Sequence, residues 1–183
     1  MSTDFSRKRG AVVLKADEGE AQLLRDLFEQ LLQLLAPEVA ETADDDPLSA
    51  MVGIGTSTRA PADPALARLL PDAYGDDDEA SAEFRRYTEL GLRETKRQRA
   101  ALVIETLAEP GKARPLSDEE AQAWLTSMND LRLVLGTNLD VSEEPEEDWA
   151  LLDELPEDDP RRLAHWTYDW LGALQWRLLK ALT

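Results

Sequence analysis

The side chains that could carry chemistry are few. The chain has no cysteine and a single histidine, His165, which removes disulfides, thiolate nucleophiles and every Cys-based zinc or iron–sulfur site. A catalytic triad would have to be built on His165 itself, and one imidazole cannot make a His-rich metal site. Carboxylates are abundant, but Asp44-Asp45-Asp46 and Asp76 to Glu79 lack the spaced oxygen ligands and the glycine of a calcium loop. Gly53-Ile54-Gly55 is too short and too poorly placed for a phosphate loop. The residues therefore point to no catalysis, metal or cofactor. The readily oxidised sulfurs are those of Met1, Met51 and Met128.

What remains are groups suited to binding. Arg85, Arg86, Arg93, Lys96 and Arg97 share one side of a helical segment, interrupted by Glu89, with Phe84, Tyr87, Gly91 and Leu102 on another. Such a stripe either faces solvent or the chain's own acidic loop, or docks an acidic protein or DNA; Arg86, Arg93 and Arg97 are the candidate contacts. Near the C-terminus, His165, Tyr168, Gly172, Trp176 and Leu179 fall on one helical face. Leu163, Trp166, Trp170, Leu171, Leu174 and Leu178 fall roughly opposite and predict ordinary core. A helix apolar all round is a central helix buried on both sides, or one that gives a face to a dimer or partner. His165, Tyr168 and Trp176 are the candidates there, with Gly172 where another backbone could approach. Arg132 lies inside the apolar arc Ala121, Trp124, Leu125, Met128, Leu131 and Leu135, so it predicts a buried charge paired with a carboxylate of another helix; a ligand carboxylate or phosphate is the alternative.

These groups need helices to position them. Phe5 to Lys15, around Arg9-Gly10, predicts a short hairpin or edge strand. Asp17 and Glu20 have capping-box spacing ahead of apolar positions recurring every three to four residues until Pro37. Asp63-Pro64 starts a short helix stopped by Pro71. Asp76 to Glu79 opens a long one reaching about Leu107. Ser117 with Glu120 caps another, expected to stop at Gly136, and Asp159-Pro160 caps the last, Arg161 to Leu182. Two acidic loops, at about 38–62 and 140–160, separate these elements, the first with one helical turn near Leu48 to Val52. The second holds eleven acidic residues and no basic one. The expected fold is mainly α: a single domain of about five helices with a small N-terminal β element.

The 183 residues carry 38 Asp and Glu against 20 Lys and Arg, a formal charge of −18. That charge repels phosphate, so direct binding to nucleic acid is not expected. No apolar run exceeds the five residues from Ala100 to Ile104, too short for a membrane span. The start, Met1-Ser2-Thr3-Asp4, has no basic region followed by an apolar one, so the expected location is the cytoplasm.

Three stretches together resemble a known family: Asp63-Pro64-Ala65-Leu66-Ala67-Arg68-Leu69-Leu70-Pro71-Asp72, Glu83-Phe84-Arg85-Arg86-Tyr87, and Trp124-Leu125 with Asn129-Asp130-Leu131-Arg132-Leu133-Val134-Leu135-Gly136-Thr137. With Tyr168-Asp169-Trp170-Leu171-Gly172 they are similar to an actinobacterial family long classed as a domain of unknown function, whose members are named AosR, oxidative-stress transcriptional regulators. The resemblance covers nearly the whole chain. It implies a cytoplasmic, non-enzymatic regulator working by protein–protein contact with transcription machinery such as a sigma factor or RNA polymerase. The alternative it implies is an adaptor for regulated proteolysis, because genes of the family often lie beside a protease-adaptor gene. A redox-responsive member is expected to use cysteine; without one, a disulfide sensor is impossible here.

Overall fold

The computed structural model describes residues 3–37, 59–142, 152 and 155–183. The expected helical turn near Leu48 to Val52, most of both acidic loops, Met1 and Met51 lie outside the described residues. Strands β1 (Asp4–Lys8) and β2 (Ala11–Lys15) form an antiparallel hairpin, Lys8 opposite Ala11. The turn places Arg9 at φ 52° and Gly10 at φ 86°, the doubly left-handed geometry of two-residue hairpins. Helices α1 (Glu18–Leu34), α2 (Pro64–Leu69) and α3 (Asp78–Thr106) follow, then strand β3 (Ala113–Leu116) and helices α4 (Asp118–Asn138) and α5 (Pro160–Leu182). This is the mainly helical single domain expected, with five helices among the described residues. The addition is β3, which pairs antiparallel with β2, Val12 opposite Leu116.

Every helix starts at a side-chain cap. Asp17, Asp63, Asp77, Ser117 and Asp159 each accept a backbone N–H from the first turn, satisfying donors that have no partner within the helix. At α4 the box is complete: Ser117 Oγ accepts from the Glu120 N–H, and Glu120 Oε2 accepts from the Ser117 N–H. Burial opposes the charge on Glu120, but the Ser117 N–H and Arg114 outweigh it and hold the carboxyl below its ordinary value.

Helix α4 is the centre, packing against α1, α2, α3 and α5. Its fully buried Trp124 meets Phe5 and Phe28 edge-on, with ring centroids at 5.2 and 5.6 Å, and donates its indole N–H to Thr106 Oγ1 at 2.8 Å. One side chain thus ties the sheet, α1, α3 and α4 together. Helix α4 runs two residues past the expected stop, to Asn138. Gly136 is not a terminator: a Cβ there would lie 3.3 Å from the Tyr168 ring of α5, so the glycine admits a neighbour's side chain.

Helix α5 corrects the expectation of a helix buried on both sides. Its buried line is Thr167, Leu171, Leu174, Leu178 and Ala181. Leu163 and Trp166, expected in the core, are 67% and 50% exposed, and Trp176 is 56% exposed. The helix lies outside α4 and against β1, so one stripe is covered while Leu163, Trp166, Trp176 and Leu179 stand exposed.

Candidate functional site

The basic stripe on α3 is turned into the fold. Arg85 and Arg93 are buried, and Glu89, which seemed to interrupt them, is buried between them. Its Oε2 accepts from Arg85 at 2.6 Å and its Oε1 from Arg93 Nε at 2.9 Å. Arg85 also reaches Asp72 at 2.7 Å, and one turn beyond Arg93, Lys96 reaches Asp130 of α4 at 2.7 Å. Burial disfavours the charge on Arg85, but hydrogen bonds to Asp72 and Glu89 outweigh this and hold the guanidinium above its ordinary value. Its buried Nε has no hydrogen-bond partner.

The remaining guanidinium N–H groups explain why the cations point inward. Helices α1, α3 and α4 have no basic residue in their last turns, which leaves the negative ends of their dipoles and their final carbonyls uncompensated locally. At α1 and α3 an arginine from another element supplies the cation. Arg97 donates to Leu32 O of α1 at 2.6 Å, and Arg93 to Ala36 O just beyond it at 3.3 Å. Arg85 donates to Leu70 O at the end of α2, Arg25 to Leu107 O at the end of α3, and Arg7 to Leu182 O at the end of α5. Arg93 and Arg97 are therefore not a free docking stripe, as the sequence suggested. Of the three candidates there, Arg86 is exposed, Arg97 half-buried and Arg93 buried.

Turning the charges in turns the apolar side chains out. In the first half of α3 the buried residues are Ser81, Arg85, Glu89 and Arg93. Phe84 (47% exposed), Tyr87 (57%), Leu90 and Leu92 face outward instead. Tyr74 packs edge-on against Phe84, with centroids 6.1 Å apart. Beside Phe84 a small open cleft of ≈ 50 Å³ runs between the end of α2 and α3, lined by Leu70, Pro71, Ala73 and Leu92, by Asp72, Ser81 and Thr88, and by the Arg85–Glu89 pair.

Arg132 departs from the expectation of a carboxylate partner. It donates to Gln175 Oε1 at 3.0 Å and to the Tyr168 hydroxyl at 3.2 Å, with its guanidinium 4.8 Å from the Tyr168 ring centroid. The residue is only half-buried and its two terminal nitrogens have neutral partners, while its buried Nε has none. Gly172 admits this side chain, not another backbone: a Cβ there would meet the guanidinium carbon at 3.4 Å. The candidates of α5 thus separate. Tyr168 joins the Arg132 node, His165 is half-buried, and Trp176 lies exposed under the Lys180 ammonium at 3.9 Å. Trp166 stacks on Trp170 at 5.9 Å.

Among the described residues, no three His, Cys, Asp or Glu side chains gather as they would around a metal ion. No helix of the described residues is long and apolar enough to cross a membrane. The outward aromatics of α3 were individually visible in the sequence, but the inward ladder that sets their direction was read the wrong way round.

The molecule is thus a small helical domain whose α3 carries a charged ladder facing inward and two aromatic side chains, Phe84 and Tyr87, facing outward. The chain belongs to the family described as Domain of unknown function (DUF2017), whose model matches residues 1–182. It is similar to proteins named "Oxidative stress regulator AosR" from Mycobacterium bovis and Mycobacterium tuberculosis, 31% identical over 177 residues, covering 89% of this chain and 78% of theirs. A relative from Mycobacterium leprae is 33% identical over 178 residues, with the same coverage. No solved structure matches the chain.

Proposed function

We propose that this chain is a non-enzymatic, cytoplasmic regulator of the oxidative-stress response that acts by binding protein, with transcription machinery such as a sigma factor as its partner. The names of its mycobacterial relatives support a regulatory role. One observation carries the mode of action: α3 buries the Arg85–Glu89–Arg93 ladder and exposes Phe84, Tyr87, Leu90 and Leu92. A helix normally buries its apolar stripe; here Phe84 and Tyr87, one turn apart, stand exposed, and aromatic side chains are favoured anchors for association. Direct promoter reading is disfavoured by the charge of −18 and by the internal use of the basic stripe.

Co-sedimentation of the purified chain with RNA polymerase core, with holoenzyme and with free sigma factor tests this reading. Binding to sigma factor or holoenzyme that Tyr87→Ser weakens, in a variant with an unchanged circular dichroism spectrum, is the expected result. Absence of binding to all three contradicts it, as does binding to a protease adaptor in their place.

A further inference from the structure

We infer that the cleft beside Phe84 is a socket for one apolar side chain of a partner segment that carries Lys or Arg beside it. The inference rests on reading α3 as a docking helix and specifies the chemistry of what docks.

The walls supply the first half of the argument. Leu70, Pro71, Ala73, Phe84 and Leu92 give an apolar lining, and the charges beside it cancel through the Asp72–Arg85–Glu89–Arg93 chain, with Arg85 Nε alone left without a partner. A lining neutralised in this way does not attract a charged ligand, whereas an inserted apolar group gains by leaving water.

The rim supplies the second half. Two hydrogen bonds between Tyr74 and Ser81 close a short loop, Tyr74 O accepting from Ser81 Oγ at 2.7 Å and Tyr74 N–H donating to it at 3.1 Å. That loop contains Asp76, Asp77, Asp78 and Glu79, all exposed, and Asp72 and Glu83 are exposed beside it. Against these carboxylates stands Arg86. A second copy would bring one acidic rim against another, because a two-fold interface pairs a patch with itself. Nucleic acid and anionic lipid are repelled for the same reason. An apolar residue flanked by Lys or Arg is what satisfies both wall and rim.

Fluorescence anisotropy tests this with short labelled peptides: Lys-flanked with a central Phe, Lys-flanked with a central Ser, and Glu-flanked with a central Phe. The Lys-flanked Phe peptide should bind, more weakly at higher salt. Affinity should fall about tenfold or more with the central Ser and with Phe84→Ser or Leu92→Ser, and stay unchanged with Trp166→Ser on α5. The socket is overturned if that peptide fails to bind, if its binding ignores Phe84, Leu92 and the central residue, or if the Glu-flanked peptide binds as well. It is also overturned if light scattering shows a dimer that Phe84→Ser dissolves. Holoenzyme binding that survives Phe84→Ser and Leu92→Ser removes the socket and leaves the regulatory reading. Peptide binding without holoenzyme or sigma-factor binding does the reverse.

Discussion

Both oxygens of Glu89 are taken, one by Arg85 and one by Arg93, so its removal leaves the buried Arg93 without its carboxylate and Arg85 with Asp72 alone. Glu89→Gln should therefore destabilise the protein by about 3 kcal/mol or more, the cost of stranding a buried charge. Urea denaturation checks this, and a loss under about 1 kcal/mol would place the ladder in solvent. Arg132 is the contrast. Its partners are the neutral Gln175 and Tyr168, so Arg132→Ala should cost only about 1 kcal/mol, in the range of ordinary hydrogen bonds. Asp159, the N-cap of α5, is held down to a pKa of about 2, chiefly by its side-chain hydrogen bonds from Arg161 and then by the Arg161 backbone N–H. A depressed folded-state value means that the cap's contribution is present above the ordinary carboxylate range and is lost as pH falls through about 2. A carbon-13 carboxyl titration should place the midpoint there, and a midpoint near 4 would show that the Arg161 contacts do not persist in solution.

At the scale of elements, what was legible in the sequence was local. The caps at Asp17, Asp63, Ser117 and Asp159 depend on residues within one helical turn, so helix starts followed directly. Strand β3 did not, because Arg114-Pro115-Leu116 is too short to show alternation and becomes a strand only by pairing with β2. Gly136 was misread for a related reason: whether a glycine ends a helix or makes room depends on what lies opposite, and here that is Tyr168. Gly136→Val should push the Tyr168 ring off Arg132 and cost about 2 kcal/mol, as overpacking does. A variant as stable as the wild type, with the Tyr168 ring resonances unmoved, would show that the α4–α5 contact is loose. The candidate site was half legible. Periodicity divides α3 into a charged and an aromatic face, but it does not say which is buried. That is decided by the carbonyls of Leu32, Ala36 and Leu70 at or just past the ends of α1 and α2, which accept from Arg97, Arg93 and Arg85, and by Glu89 and Asp130, which pair with Arg85, Arg93 and Lys96.

For the whole molecule, 38 Asp and Glu against 20 Lys and Arg give a formal charge of −18, and the inward turn of Arg85 and Arg93 adds to the excess of carboxylates outside. Like charges repel across such a surface, so added sodium chloride should raise the melting midpoint by screening; a midpoint that falls with salt would mean that exposed ion pairs outweigh the repulsion. The same surface should give no retardation of promoter DNA by the purified chain alone. Both expectations are consequences of charge. The central claim is that α3 presents its outward aromatic face to a protein partner, and hydrogen–deuterium exchange with and without sigma-containing RNA polymerase tests it most directly. Slowed exchange across Ser81 to Thr95, with the Arg132–Tyr168 region unchanged, is the predicted result. An α3 that exchanges alike with and without the polymerase, or protection confined to α5, would contradict it.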